Sequence, residues 1–300
     1  MTSSHPAEAR KGALAATLCY LFWGLVPLYW RQLASIDAVE LIAHRHVWSL
    51  LVLLALLAVQ GGFGAVRATL RSPRAALLHL LSAVLLTTNW LVYVYATNTG
   101  HVTECSLGYF LVPLVNVLAG RFVLGETLHR LQWFAIGCAA LGVGCLVWQM
   151  GALPWIALAL AASWGGYSLM RKRSVLGALP GLSVETLLLA PFAVAFLGWR
   201  QLHGGGALGH VSPAMHGILL SSGLVTAVPL LLFAYGAQRI RLATLGLLQY
   251  VSPSVQLLLA TLLYGEPFTL GHAVSFAFLW VGLAVYTADN LMTMRRQRLA

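Results

Sequence analysis

Runs of about 20 apolar residues recur along the whole chain, and each can cross a hydrocarbon core roughly 30 Å thick. Lipid offers backbone groups no partners, so such runs must be helices that pair their own N–H and C=O groups. A membrane β-barrel would alternate polar and apolar residues, and no such alternation occurs. Only 9% of the 300 residues are charged and 59% are hydrophobic. A soluble domain carries about 25% charged residues, and far fewer leave a globule of this size without a wettable surface. The expected fold class is an all-α polytopic membrane protein of about ten transmembrane helices.

The spans read as Gly12–Trp30, Ala38–Val59, Ala75–Thr97, Glu104–Leu124 and Leu131–Met150, then Leu153–Met170, Leu182–Trp199, Ala214–Tyr235, Ala243–Tyr264 and Leu270–Thr287. They divide the chain into a first five-helix unit, 1–150, and a second, 151–300. Gly61–Arg74 and Gln201–Pro213 are the longest expected loops, polar or rich in Gly and Pro. The first span follows Arg10 and Lys11 as a signal peptide would. It lacks a small-residue cleavage site and is too long for the usual apolar core, so it is read as a retained helix.

A net charge of +10 could suggest nucleic-acid binding, but the basic residues form no patch interleaved with aromatics. They lie in short loops and set orientation. With the N-terminus inside, 15 of the 18 fall on cytoplasmic segments: Arg10, Lys11, Arg67, Arg71, Arg74, Arg121, Arg130, Arg171, Lys172, Arg173, Arg239, Arg241, Arg295, Arg296 and Arg298. Arg31 and Arg200 fall outside, and Arg45 lies within a span. This asymmetry places both termini in the cytoplasm of a bacterial-type inner membrane.

The chain also repeats itself. Pro113 precedes Gly125-Glu126 by twelve residues, and Pro253 precedes Gly265-Glu266 by the same interval, an offset of 140. Tyr95-Ala96 matches Tyr235-Gly236 at 140, and Trp23-Gly24 matches Trp164-Gly165 at 141. Five is an odd number of crossings, so a second copy enters from the opposite side. Inverted repeats of this kind are common in secondary transporters, with the substrate near the midplane where the halves meet.

Several runs resemble a known family: Glu40, His44-Arg45 with Trp48-Ser49, Asn89-Trp90, Ser106-Leu107-Gly108-Tyr109-Phe110 with Pro113-Leu114-Val115-Asn116, Leu124-Gly125-Glu126, Leu245-Gly246, Gln249-Tyr250 with Pro253, and Tyr264-Gly265-Glu266. Over nearly the whole chain they are similar to the RarD ("chloramphenicol-sensitive") branch of the EamA drug/metabolite transporter superfamily. His46 departs from the pattern, where an aliphatic residue is expected. The resemblance implies ten helices and efflux of small metabolites or drugs.

Charged groups kept inside lipid cost roughly 2.5–3.5 kcal/mol each and need partners or water. Glu40, His44 and Trp48 follow at one-turn spacing and share a helix face. Glu40 and His44 either border the substrate path and carry protons, or Glu40 is solvated at the outer interface. Arg45 lies roughly 10 Å deeper by helical rise. It either attracts an anionic group such as a carboxylate or serves as a structural partner. Asn89 and Tyr93 share a face of the third span, and Tyr109, Asn116, Gln249 and Tyr250 lie around Pro113 and Pro253, expected hinges in the fourth and ninth spans. Tyr20, Trp23, Trp164 and Tyr167 add aromatics from the first and sixth spans. An aromatic cavity with a few amides suits a small amphipathic solute. The alternative is interface-belt and core packing. Gly125-Glu126 and Gly265-Glu266 are read as structural turns, with each glutamate at the N-terminus of the following helix. Gly137, Ala140, Gly142 and Gly144, and Gly165-Gly166, favour close helix contact, either internal or in a homodimer.

Cys19, Cys105, Cys138 and Cys145 show no CxxC spacing and read as buried thiols. No phosphate loop indicates an ATP-driven pump, and no zinc or paired-acid pattern indicates an intramembrane enzyme. No cofactor or metal is expected; the expected partners are a small-molecule substrate and the bilayer. The function expected is a secondary transporter exporting metabolites or drug-like solutes by alternating access, with amino acids or amphipathic aromatics as substrates and coupling to protons through Glu40 and His44. A channel or membrane-embedded receptor is the alternative.

Overall fold

Punctuation in the sequence sets where each helix starts and stops. Asp37 accepts hydrogen bonds from the backbone N–H groups of Val39 and Glu40 at 3.1 and 3.0 Å, and so caps a helix over Ala38–Gln60. That helix ends at Gly61, whose φ of +80° suits glycine. Ser212 caps the helix that starts at Pro213, where the missing N–H of proline costs nothing. The computed structural model describes residues 6–99, 101–150, 155–263, 273–274, 277–278, 280–286, 288–289 and 292. Among the described residues all regular structure is helical: α1 Pro6–Leu25, α2 Pro27–Trp30, α3 Ala38–Gln60, α4 Phe63–Arg71, α5 Pro73–Asn98, α6 Val102–Phe122, α7 Arg130–Met150, α8 Trp155–Arg173, α9 Ala178–Leu202, α10 Pro213–Arg239, α11 Leu242–Leu248 and α12 Val251–Leu262, with a 3₁₀ turn at Arg31–Leu33.

The helices close into a ring. Going round it, α1 packs on α10, α10 on α3, α3 on α9, α9 on α5, α5 on α8, α8 on α6, and α6 on α11, with α11 and α12 returning to α1. α7 packs on the outside of α6. The centre is filled by Tyr20, Trp164, Tyr167 and Phe233 with aliphatic side chains from α3, α5, α9 and α10. α3 and α9 run antiparallel: Leu57 near the end of α3 packs with Val184 near the start of α9, and Glu40 near the start of α3 pairs with Arg200 near the end of α9.

Six described segments are long and apolar enough to cross a membrane: Ala7–Leu33, Ala38–Gln60, Pro73–Ala96, Ala178–Leu202, Pro213–Arg239 and Leu242–Leu259. Leu107–Phe122 and Arg130–Cys145 are shorter apolar helices. The chain is therefore polytopic and all-helical. The expected tenth span falls partly outside the described residues, and Tyr264-Gly265-Glu266, Gly100, 151–154 and the basic residues Arg295, Arg296 and Arg298 lie outside them.

The structure corrects the sequence reading in several places. The first span breaks at Val26–Pro27, because a proline has no N–H to continue the helix. Most of the loop expected over Gly61–Arg74 is helix α4. The ninth span breaks at Gln249–Tyr250, where the bonds tighten to i→i−3, because Pro253 cannot donate to the carbonyl four residues back. Arg171, read as a loop cation, is fully buried in α8. Glu126 caps α11 rather than the helix after it: its carboxylate accepts from the N–H groups of Leu242 and Ala243 at 2.6 and 3.1 Å.

Four of the segments expected in the cytoplasm meet at one end of the ring. There Arg239 pairs with Glu8 at 2.9 Å, Arg241 donates to the Thr127 carbonyl at 2.8 Å, Arg173 donates to the Val123 carbonyl at 3.1 Å, and Lys172 donates to the Ile240 carbonyl. Helix contacts are tight where small residues allow. A Cβ at Gly165 would lie 2.4 Å from Val115, whereas Gly137 and Gly144 of α7 face no neighbour among the described residues. A Cβ at Gly223 would lie 2.5 Å from the backbone carbonyl of Trp48, where α10 crosses α3. Gly223→Val should therefore destabilise the protein by about 1–3 kcal/mol, read as a lower melting temperature in detergent, while Gly137→Val should leave it unchanged.

Candidate functional site

Arg45 projects from the second turn of α3, and aromatic faces hold it. Its guanidinium carbon lies 4.4 Å from the ring centre of Trp30 and 4.5 Å from that of Trp90. Its Nε donates to the Thr226 hydroxyl at 3.0 Å. The cation–π attraction of each indole supports the charge where water is scarce. Among the described residues no carboxylate lies within ion-pairing distance of Arg45, so it is not a structural partner of Glu40. Instead Glu40 accepts from Arg200 at 3.1 Å and from the Ala207 N–H at 2.6 Å, with His44 Nε2 at 3.7 Å. Glu40 is buried, not solvated at an interface. It ties the start of α3 to the end of α9 and the segment that follows. His44 stacks on Trp48, with ring planes 3° apart, so the expected Glu40–His44–Trp48 face exists.

A second carboxylate escaped the sequence reading. Glu185 of α9 is 1% exposed and sits among donors from two other helices. Arg171 of α8 donates at 3.0 Å, Ser82 of α5 at 2.9 Å and Tyr167 of α8 at 3.4 Å, and His79 Nδ1 of α5 lies 3.5 Å away. Gly181 makes room for the guanidinium: a Cβ there would lie 2.4 Å from Arg171 Nη1. The signal was present, since an acid inside a predicted span is costly unless partnered and marks a site by default.

Between these clusters lies a tight cleft of about 10 Å³, room for about one water, bounded by α3, α5, α9 and α10. His46, Ser49, Trp90 and Thr226 line it toward Arg45, and Glu185 and Thr186 line it toward Arg171. His46 meets Trp90 edge-on at 6.1 Å, so the residue that departs from the family pattern forms part of this wall.

The other expected residues divide into groups. Asn89 is buried and donates to the Leu160 carbonyl at 3.0 Å and to Ser163 at 3.2 Å, and the Tyr109 hydroxyl reaches its carbonyl oxygen at 3.5 Å. Tyr93 packs against Tyr109 at 5.9 Å but is largely exposed on its other side. Trp164 meets Trp23 edge-on at 5.0 Å and also contacts Phe233 and Tyr167, in the aromatic plug at the ring centre. Asn116 is fully buried beside Gly246, and neither its amide atoms nor Gln249 Oε1 has a hydrogen-bond partner among the described residues. Tyr250 is set apart: its hydroxyl donates to the Phe110 carbonyl at 3.2 Å and its ring stacks on Phe110, in the second core with α7. Pro113 stays within an unbroken α6. Among the described residues no group of three His, Cys, Asp or Glu could hold a metal ion.

Known proteins resemble this chain. The EamA-like transporter family model matches residues 10–148 and again 153–288. Protein RarD of Salmonella typhi is 40% identical over 290 residues, covering 97% of this chain and 99% of the relative. A Vibrio cholerae protein named as an uncharacterized transporter is 40% identical, covering 95% and 94%. The chloramphenicol-sensitive protein RarD of Pseudomonas aeruginosa is 29% identical, covering 96% and 97%. A solved crystal structure superimposes with a TM-score of 0.70 at 20% identity, over 92% of this chain and 97% of the other, a likeness of fold.

Removing one member of a buried ion pair strands the other, at a cost of about 3–5 kcal/mol. Glu185→Ala should therefore lower the melting temperature sharply. The double variant Glu185→Ala with Arg171→Met should recover most of the loss in the same thermal melt.

Proposed function

The chain belongs to the RarD branch of the EamA-like transporter family, and from that premise we propose that it exports small metabolites or drug-like solutes across the bacterial inner membrane as a secondary transporter. That it is a membrane transporter and not an enzyme follows from the family. The mechanism proposed is alternating access between two five-helix halves, 1–150 and 151–300, of opposite topology, with ten helices in all and both termini in the cytoplasm. Two matches to one family model, the 140-residue offset and the gathering of basic segments at one end of the ring support this reading.

One observation carries it: two matching charge clusters close the two ends of the α3–α9 pair. Each contains a buried glutamate, an arginine and a histidine, namely Glu40 with Arg200 and His44, and Glu185 with Arg171 and His79. The cleft and the Arg45 pocket lie between them. A carrier needs two gates that open in turn. Buried ion pairs suit that task, because a broken pair must find water or a new partner on the side that opens. Adding a proton to either glutamate cancels its attraction for arginine and frees that end. Proton coupling in this scheme uses both clusters, Glu40 with His44 and Glu185 with His79. The substrate path runs along Arg45, Trp48, Asn89, Tyr93 and Tyr109. Trp164, Tyr167, Asn116 and Gln249 form its far wall, and Pro113 and Pro253 act as hinges.

The test is solute counterflow in proteoliposomes with labelled amino acids and chloramphenicol. A carrier gives transient accumulation that saturates and is competed by the unlabelled solute. Flux without counterflow would point to a channel. Glu40→Gln, His44→Ala and Glu185→Gln should each weaken the dependence of transport on an imposed pH gradient, and unchanged dependence in all three would remove the coupling scheme.

A further inference from the structure

The proposed substrate path contains a cation with no counter-ion among the described residues, and this narrows the substrate. Among the buried or half-buried arginines of the ring interior, Arg171 is paired with Glu185 and Arg200 with Glu40, whereas no described carboxylate lies within ion-pairing distance of Arg45. The guanidinium carbon lies over the rings of both Trp30 and Trp90, and Nε donates to Thr226. These contacts hold the guanidinium in place, and neither terminal Nη nitrogen has a hydrogen-bond partner among the described residues. Trp90 and Thr226, which hold Arg45, also line the cleft. The hydroxyls of Tyr29, Tyr93 and Tyr109 lie within electrostatic reach of the same guanidinium. A planar fork whose two terminal nitrogens have no hydrogen-bond partner among the described residues matches the two oxygens of a carboxylate. The indoles that hold it give an aromatic or aliphatic body a surface to rest on.

We propose that Arg45 is an anion-recognition residue, and that this transporter takes organic carboxylates, the class that includes amino acids, in preference to uncharged solutes. This rests on the transporter reading above and specifies its substrate. Arg45 bears the charge, Thr226 positions it, and Trp30 and Trp90 hold it by cation–π contact. The substrate supplies the missing counter-ion, so a bound carboxylate removes the cost of an unpaired cation inside the membrane.

The test uses purified protein in lipid nanodiscs, with thermal unfolding followed against ligands that differ only in charge: phenylacetate against phenylacetamide, and N-acetylphenylalanine against its amide. A ligand that binds the folded state raises the melting temperature with a saturating dose dependence. The acid of each pair should half-saturate at a concentration lower than its amide by about tenfold or more, as expected for a charge-assisted hydrogen bond. Arg45→Gln should abolish the preference. Thr226→Val, which keeps the charge, should reduce the preference without abolishing it. Equal shifts from acid and amide, no shift from either, or a preference that survives in Arg45→Gln would each overturn the proposal. Carboxylate-specific stabilisation in a protein that shows no counterflow would instead overturn the transporter reading and leave the anion site standing.

Discussion

A charge inside hydrocarbon must bring its partner with it, and most of this structure is organised by how it meets that demand. Glu185 draws donors from α5 and α8 onto α9. Glu40 draws the end of α9 and the chain beyond it onto α3. Apolar packing alone would give the four helices around the cleft little orientation relative to one another, because lipid tails compete equally well for apolar surface. The ion pairs supply that orientation. The exception is Arg45, where two indole faces and a hydroxyl replace the acid. The sequence offset of 140 sharpens the contrast: moved forward by that offset, Arg45 lands on Glu185, a residue of opposite charge.

Much of the fold was legible because the bilayer imposes it. Run lengths gave the apolar helices but not where they break. Where prediction failed, the cause was local. Two spans were read as continuous through Pro27 and Pro253, yet Pro27 opens α2 and Pro253 sits in the first turn of α12, just past the break at Gln249–Tyr250. Arg171 was placed in a loop because it sits beside Lys172 and Arg173, and a run of three cations looks like a solvated flank. In the structure the first of the three turns inward.

The candidate site was half legible. The face shared by Glu40, His44 and Trp48 followed from helical spacing, and Asn89 and Tyr109 do meet. Glu185 was overlooked although its type and position were plain, because its partners lie 14 and 103 residues away and no local pattern connects them. Likewise, the tie of Glu40 to Arg200 spans 160 residues. Sequence spacing reports neighbours on one helix; it is silent about which helices are neighbours.

The cap on α11 bears on how the chain is made. Glu126 serves the backbone of Leu242 and Ala243, which leave the ribosome more than 100 residues later. While the second half is being synthesised, the first waits with a carboxylate at the very end of the ring where α11 must dock. The short helix emerges between a tight connection after Arg239 and the break at Gln249, too brief to be stable by itself. Its docking on α6 is thus directed by a group laid down early, so the order of translation is also an order of assembly.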